Sequence, residues 1–161
     1  MSLISITHTY PQSPSEVFAA LNDFAGIHRF HPLLESSPLV DGTPATGVGS
    51  ERVCNLYDGN TLHERIVEAE QDKTLTVEIV DTSMPMAKGG GRFDLAPTAD
   101  GGTELTMTMD FEMKMGLLGK ALDRLVVARK FRGNLELLLA ALGEHLATGA
   151  TIGRGWTAPA A

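Results

Sequence analysis

Residues 116–147, GLLGKALDRLVVARKFRGNLELLLAALGEHLA, decide the fold. Leu117, Ala121, Leu125, Ala128, Phe131, Leu135, Leu139, Leu142 and Leu146 recur at steps of three and four, the spacing of one apolar helix face. At the rise of an α-helix this segment would run roughly 45 Å, and alone it could not bury its stripe. It needs a wide partner, and a sheet is the natural one. Two residues interrupt the pattern. Gly133 costs roughly 1 kcal/mol against Ala inside a helix, which points to close packing or a bend. Arg132 falls within the stripe, where a charge needs a partner or a wet cavity. Small Ala121 and Ala128 on the same face predict a helix that roofs a space.

The segment just before the helix supplies the sheet. Leu105, Met107, Met109, Phe111, Met113 and Met115 share one face, while Thr106, Thr108, Asp110, Glu112 and Lys114 share the other. Such alternation predicts a strand of a one-sided antiparallel sheet, wet on one face and covered on the other. Further back, residues 2–10 alternate with Ile4, Ile6, His8 and Tyr10 inward. Ser13, Pro14 and Glu16 then form a helix start with a capping box, and Val17, Phe18 and Leu21 turn inward. A second short helix over 24–30 stops before Pro32.

Strands are expected over 48–57 and 61–69, flanking Asp58-Gly59-Asn60. Apolar residues occupy even positions in both arms (Val48, Cys54, Leu56; Leu62, Ile66), which favours a three-residue loop over a two-residue one that would set Arg52 opposite Arg65. A three-residue turn then sets Glu64 opposite Cys54 and Arg52 opposite Ile66. Strands over 74–81, with Leu75, Val77 and Ile79 inward, and 91–96, with Phe93 and Leu95 inward, complete the run.

The 161 residues suit one domain over 1–147, followed by a loose tail over 148–161 in which Trp156 could pack back. A formal charge of −7 argues against nucleic acid and anionic membrane surfaces as partners. Cys54 is the one cysteine, which excludes an intrachain disulfide. The first dozen residues lack the pattern of a signal peptide, and no segment has the length and apolarity of a membrane span. A cytoplasmic protein is expected, with monomer and homodimer both open.

Arg52 and Glu64 are the most informative polar pair, lying diagonally on the inward face. They suit a polar anchor for a ligand carbonyl or carboxylate, with Glu64 accepting protons; the alternative is an ion pair that only bridges two strands. Arg132 is expected to join them. His31 is a second candidate acid or base, or else a residue that packs the short helix before Pro32. His28 and His31 are three apart, but no third ligand follows, so no metal is expected. Gly89-Gly90-Gly91 leads into a strand without a following lysine and is no phosphate loop; no cofactor is expected. A bent strand, or a pocket entrance kept free of side chains, is the expected role of these glycines. The methionines of 107–115 suit a core or a soft pocket wall.

Strand, two short helices, a run of antiparallel strands and one long helix: this order resembles the helix-grip fold of the START-related (SRPBCC) superfamily, which includes the birch-pollen allergen. Within it the chain resembles the small bacterial polyketide cyclase/dehydrase group. Phe30-His31-Pro32 is similar to the aromatic-His-Pro step after the second helix, with Phe where Trp is more usual. Gly49-Ser50-Glu51-Arg52, Leu62-His63-Glu64-Arg65-Ile66 and Met84-Pro85 resemble other segments of the group. Val77 stands where many relatives carry Tyr.

The resemblance implies an α+β fold, a curved antiparallel sheet around a long C-terminal helix with a cavity between them. The cavity is expected to be lined by Val77, Phe93, Met107, Met109, Leu125 and Ala128, with His31, Arg52, Glu64 and Arg132 at its polar parts. Binding of a small hydrophobic or aromatic ligand, lipid- or polyketide-like, is the leading expectation. The alternative is a cyclase or dehydratase with His31 or Glu64 as acid/base. No nucleophile with a neighbouring base is legible in support of it.

Overall fold

In a computed structural model, residues 1–114 and 121–160 are described, with side chains of the final helix from residue 125 onward. Strand β1 (Ser2–Tyr10) leads into helix α1 (Pro14–Asn22) and a 3₁₀ helix (Phe24–Arg29). Six strands follow: β2 (Leu34–Ser36), β3 (Glu51–Leu56), β4 (Thr61–Glu70), β5 (Thr74–Thr82), β6 (Met86–Pro97) and β7 (Thr103–Met113). Helix α2 (Ala121–Thr148) comes last. The sheet runs β1-β7-β6-β5-β4-β3-β2 with every pair antiparallel, so the first strand lies beside the last. This is the expected helix grip.

Local chemistry accounts for the element ends. Ser13 Oγ accepts from the Glu16 N–H, and Glu16 Oε2 accepts from the Ser13 N–H at 2.8 Å, closing the capping box. Between β3 and β4 the turn is Tyr57-Asp58-Gly59, closed by a 2.9 Å bond from the Leu56 N–H to the Asn60 carbonyl. Gly59 takes φ +90°, a conformation that costs glycine nothing. Asp58 Oδ1 accepts from the Asn60 N–H. The loop is odd, as expected, but it sits one residue earlier, so the pairing slides by two and Arg52 lies directly opposite Glu64. Val48 lies outside β3 and is 59% exposed, because the chain turns at Gly47 and Gly49, both at positive φ.

The core lies between the concave sheet face and the C-terminal half of α2. Leu135, Leu138, Leu139, Ala141 and Leu142 are buried there with Ile4, Leu105, Met107 and Phe111. Tyr10 donates from its hydroxyl to the Leu139 carbonyl at 2.7 Å, and its ring lies against Gly143, where an added Cβ would stand 3.2 Å from Cε1. Gly143 is therefore the closely packed glycine of the helix. Gly133, where close packing or a bend is expected, has open space around it, so close packing is not its role.

The expected stripe also needs correction. Leu125 is 71% exposed, and Arg132 is exposed on the helix surface, 3.6 Å from Glu136 and donating to the Ser5 carbonyl. Leu117, Met115 and the side chain of Ala121 lie outside the described residues. β6 begins at Met86, so Gly89, Gly90 and Gly91 are paired within the sheet. In the segment read as a loose tail, Ile152 is buried, and its N–H donates to the Arg29 carbonyl at 2.7 Å. Trp156 is half-buried.

Candidate functional site

Between the sheet and α2 lies a cavity of about 140 Å³. Val77, Phe93, Met107 and Met109 line it from the concave face of the sheet. From the helix the lining comes from Phe131, Asn134, Leu135 and Leu138. Leu125, Ala128 and Arg132 are not among its lining residues. Gly91 pairs with Val77 on one side and Met109 on the other, and an added Cβ there would meet only Met107 Cε, at 3.8 Å. The missing side chain leaves part of the chamber's space open. Gly90 and Gly91 both lie on the chamber wall, whereas Gly89 does not.

One end of the cavity is polar. Arg52, 4% exposed, donates from Nε to Glu64 Oε2 at 2.7 Å and from Nη1 to the Phe24 carbonyl at 3.0 Å. Its guanidinium also stacks 3.8 Å from the Phe24 ring centre, so the start of the 3₁₀ helix holds it in place. Cys54 Sγ donates to the same Glu64 oxygen at 3.4 Å. Burial first, and the Glu64 charge second, push the Cys54 thiol well up, so it is a hydrogen-bond donor and not a nucleophile. Glu64 Oε1 and Arg52 Nη2 make no hydrogen bond to the described residues, and both side chains line the cavity. The neighbouring charges of these strands pair elsewhere: Glu51 accepts from Arg65 Nε at 2.7 Å and lies 2.6 Å from His63 Nε2.

His31 also lines the cavity, half-buried at the start of the Pro32 turn. Its N–H donates to the Ile27 carbonyl, and its Nδ1 accepts from the Leu33 N–H at 3.3 Å. Burial pulls its pKa down to about 4, with Glu64 opposing and Arg52 reinforcing the shift. The ring is neutral near pH 7, with its proton on Nε2. His28 is committed differently: its Nδ1 lies 2.9 Å from the Ala25 carbonyl and 2.8 Å from Ser37 Oγ. Among the described residues no group of three His, Cys, Asp or Glu side chains is placed to hold a metal.

A second, outer chamber of about 520 Å³ adjoins the first. Leu33, Leu56, Met84, Phe131 and Asn134 line both and form the neck between them. The outer wall includes Tyr57, Lys130 and Arg154, the last lying 5.1 Å from the Tyr57 ring centre. The Met84-Pro85 loop and Phe131 were visible in the sequence as apolar residues. Asn134 carried no signal there, because a single Asn in an amphipathic helix usually marks its wet face.

No curated protein matches this sequence. Solved structures with the same fold include a protein from Thermus thermophilus, at TM-score 0.76 and 18% identity, covering 92% of this chain and 99% of that one. A START superfamily protein from Mycobacterium smegmatis superposes with TM-score 0.72 at 15% identity, over 92% of this chain and 99% of that one. DynU16, a putative protein in the dynemicin biosynthetic locus, gives TM-score 0.68 at 15% identity over 96% of this chain and 51% of that one. At these identities the likeness is one of fold. No described helix is long and apolar enough to cross a membrane. With a sequence profile matching residues 1–147, the chain belongs to the polyketide cyclase / dehydrase and lipid transport family.

Proposed function

We propose that the protein binds a small hydrophobic or aromatic molecule between sheet and helix, its polar end against Arg52 and Glu64. The observation that carries this reading is a buried ion pair with unused hydrogen-bonding atoms facing an apolar cavity. Burying charge is costly, and a pair that served only to bridge strands could be replaced by packed apolar side chains at little loss. Size supports it too. An apolar cavity of about 150 Å³ holds one benzene ring, so the inner chamber suits a single ring and the outer chamber the rest of a larger molecule.

Charge narrows the ligand. The guanidinium and the carboxylate cancel, and His31 is neutral, so a ligand carboxylate at this end would meet Glu64 without a free cation to offset it. A hydroxyl or ketone fits better than a carboxylate. Native mass spectrometry of freshly purified protein tests the reading: a retained small molecule, neutral and lost on unfolding, is expected. A retained anion, or neutral aromatics that fail to bind when added, would contradict it.

The alternative, a cyclase or dehydratase, has one supporting observation, the unpartnered Oε1 of Glu64 on the cavity wall. His31 serves it poorly, because an imidazole with a pKa of about 4 is a weak base. Turnover of the retained molecule, lost in Glu64→Gln with binding kept, would favour the enzyme.

A further inference from the structure

Among the described residues, Asn134 is the one polar side chain that α2 contributes to the inner chamber, beside Phe131, Leu135 and Leu138. It lines both chambers and so stands at the neck. It is half-buried, and its amide makes no hydrogen bond to any described residue. On an otherwise apolar stretch of helix wall, its two donors and one acceptor have no partner among the described residues and are open to a bound molecule. Asn is also a weak helix former, so local helix stability does not favour it at this position. A neck meant only for hydrocarbon would be better built with Leu.

We infer that Asn134 reads the ligand: the bound molecule is an oxygenated ring, with a second polar atom, a carbonyl or hydroxyl, hydrogen-bonded to the Asn134 amide at the neck. This inference rests on the binding reading above and adds to it. Glu64, Arg52 and His31 would meet oxygen at the inner end, and Asn134 would meet it where the molecule leaves the inner chamber. A plain alkyl or alkyl-aryl ligand would leave the amide unpaired, which is how a site rejects an analogue that lacks a polar atom.

The test uses two probes that share a ring and a hydroxyl and differ in one carbonyl: 4-hydroxyacetophenone and 4-ethylphenol. Isothermal titration with the purified chain should show the ketone bound about three- to tenfold more tightly, the ratio that one neutral hydrogen bond provides. Asn134→Leu should abolish that preference while still binding 4-ethylphenol, and Asn134→Gln should restore part of it. Asn134→Ala repeats the test should the Leu variant prove misfolded by circular dichroism. An unchanged preference in Asn134→Leu or Asn134→Ala, or no preference in the parent, overturns the role of Asn134 and leaves the cavity reading standing. Failure of the parent to bind either probe overturns both.

Discussion

Arg52 and Glu64 face each other across β3 and β4, with Nε and Oε2 2.7 Å apart and only 5% and 16% of their side chains exposed. Removing one partner strands the other. Glu64→Leu should cost about 3 kcal/mol in a urea unfolding experiment, because the arginine charge remains buried. The double variant Arg52→Met/Glu64→Leu should recover most of that loss. If the two single losses simply add in the double variant, the residues do not interact as described.

His31 makes stability depend on pH in a known direction. Its folded pKa, about 4, lies below the ordinary 6.5, so the unfolded chain binds the proton more readily. Stability from this group is whole above pH 6.5 and falls as the pH drops toward 4, by at most about 1.4 kcal/mol per unit. His31→Asn, which keeps an acceptor for the Leu33 N–H, should flatten that slope between pH 6.5 and 4. An unchanged slope would mean that other groups set it.

Strand alternation carried most of the fold because each strand has one wet face, so Leu75, Val77, Phe93, Leu105 and Met107 could be assigned inward without reference to neighbours. The helix was harder. Its C-terminal half holds Leu135, Leu137, Leu138, Leu139, Ala140, Ala141 and Leu142 almost without a break, and such a run does not single out one face. The expected stripe, from Leu117 to Leu146, is turned by roughly 70° from the inward face that runs through Phe131, Asn134, Leu138 and Leu142. That rotation moved Arg132 inward on paper and hid Asn134. The polar pair survived a two-residue slip in the hairpin because the slip preserved parity, keeping Arg52 and Glu64 on one face.

Tyr10 links β1 to α2 through its bond to the Leu139 carbonyl. Tyr10→Phe should lose about 1 kcal/mol, the usual worth of one such bond, without altering the helix content seen by circular dichroism. A loss near zero would show that the Leu139 carbonyl needs no second partner.

Gly90 and Gly91 are adjacent but face different surroundings. At Gly90 an added Cβ would stand 2.9 Å from the Val77 carbonyl oxygen, so Gly90→Ala must shift backbone and should cost about 1–3 kcal/mol. Thermal unfolding checks this. A neutral Gly90→Ala would mean that β5 and β6 can part there without loss.

Gly91 gives direct access to the claim that a ligand occupies the chamber behind it. Its Cβ position is open, its partners Val77 and Met109 are on the wall, and Gly91→Leu would fill the space while leaving the strand paired. The measurement is a fluorescence titration with N-phenyl-1-naphthylamine, an uncharged aromatic dye, on parent and variant with matched unfolding midpoints. The parent should take up and brighten the dye, and Gly91→Leu should bind it at least about tenfold more weakly, as expected when a filled chamber excludes a ring. Equal binding by a folded Gly91→Leu variant would contradict the account, because the dye would then sit somewhere other than between the sheet and the helix.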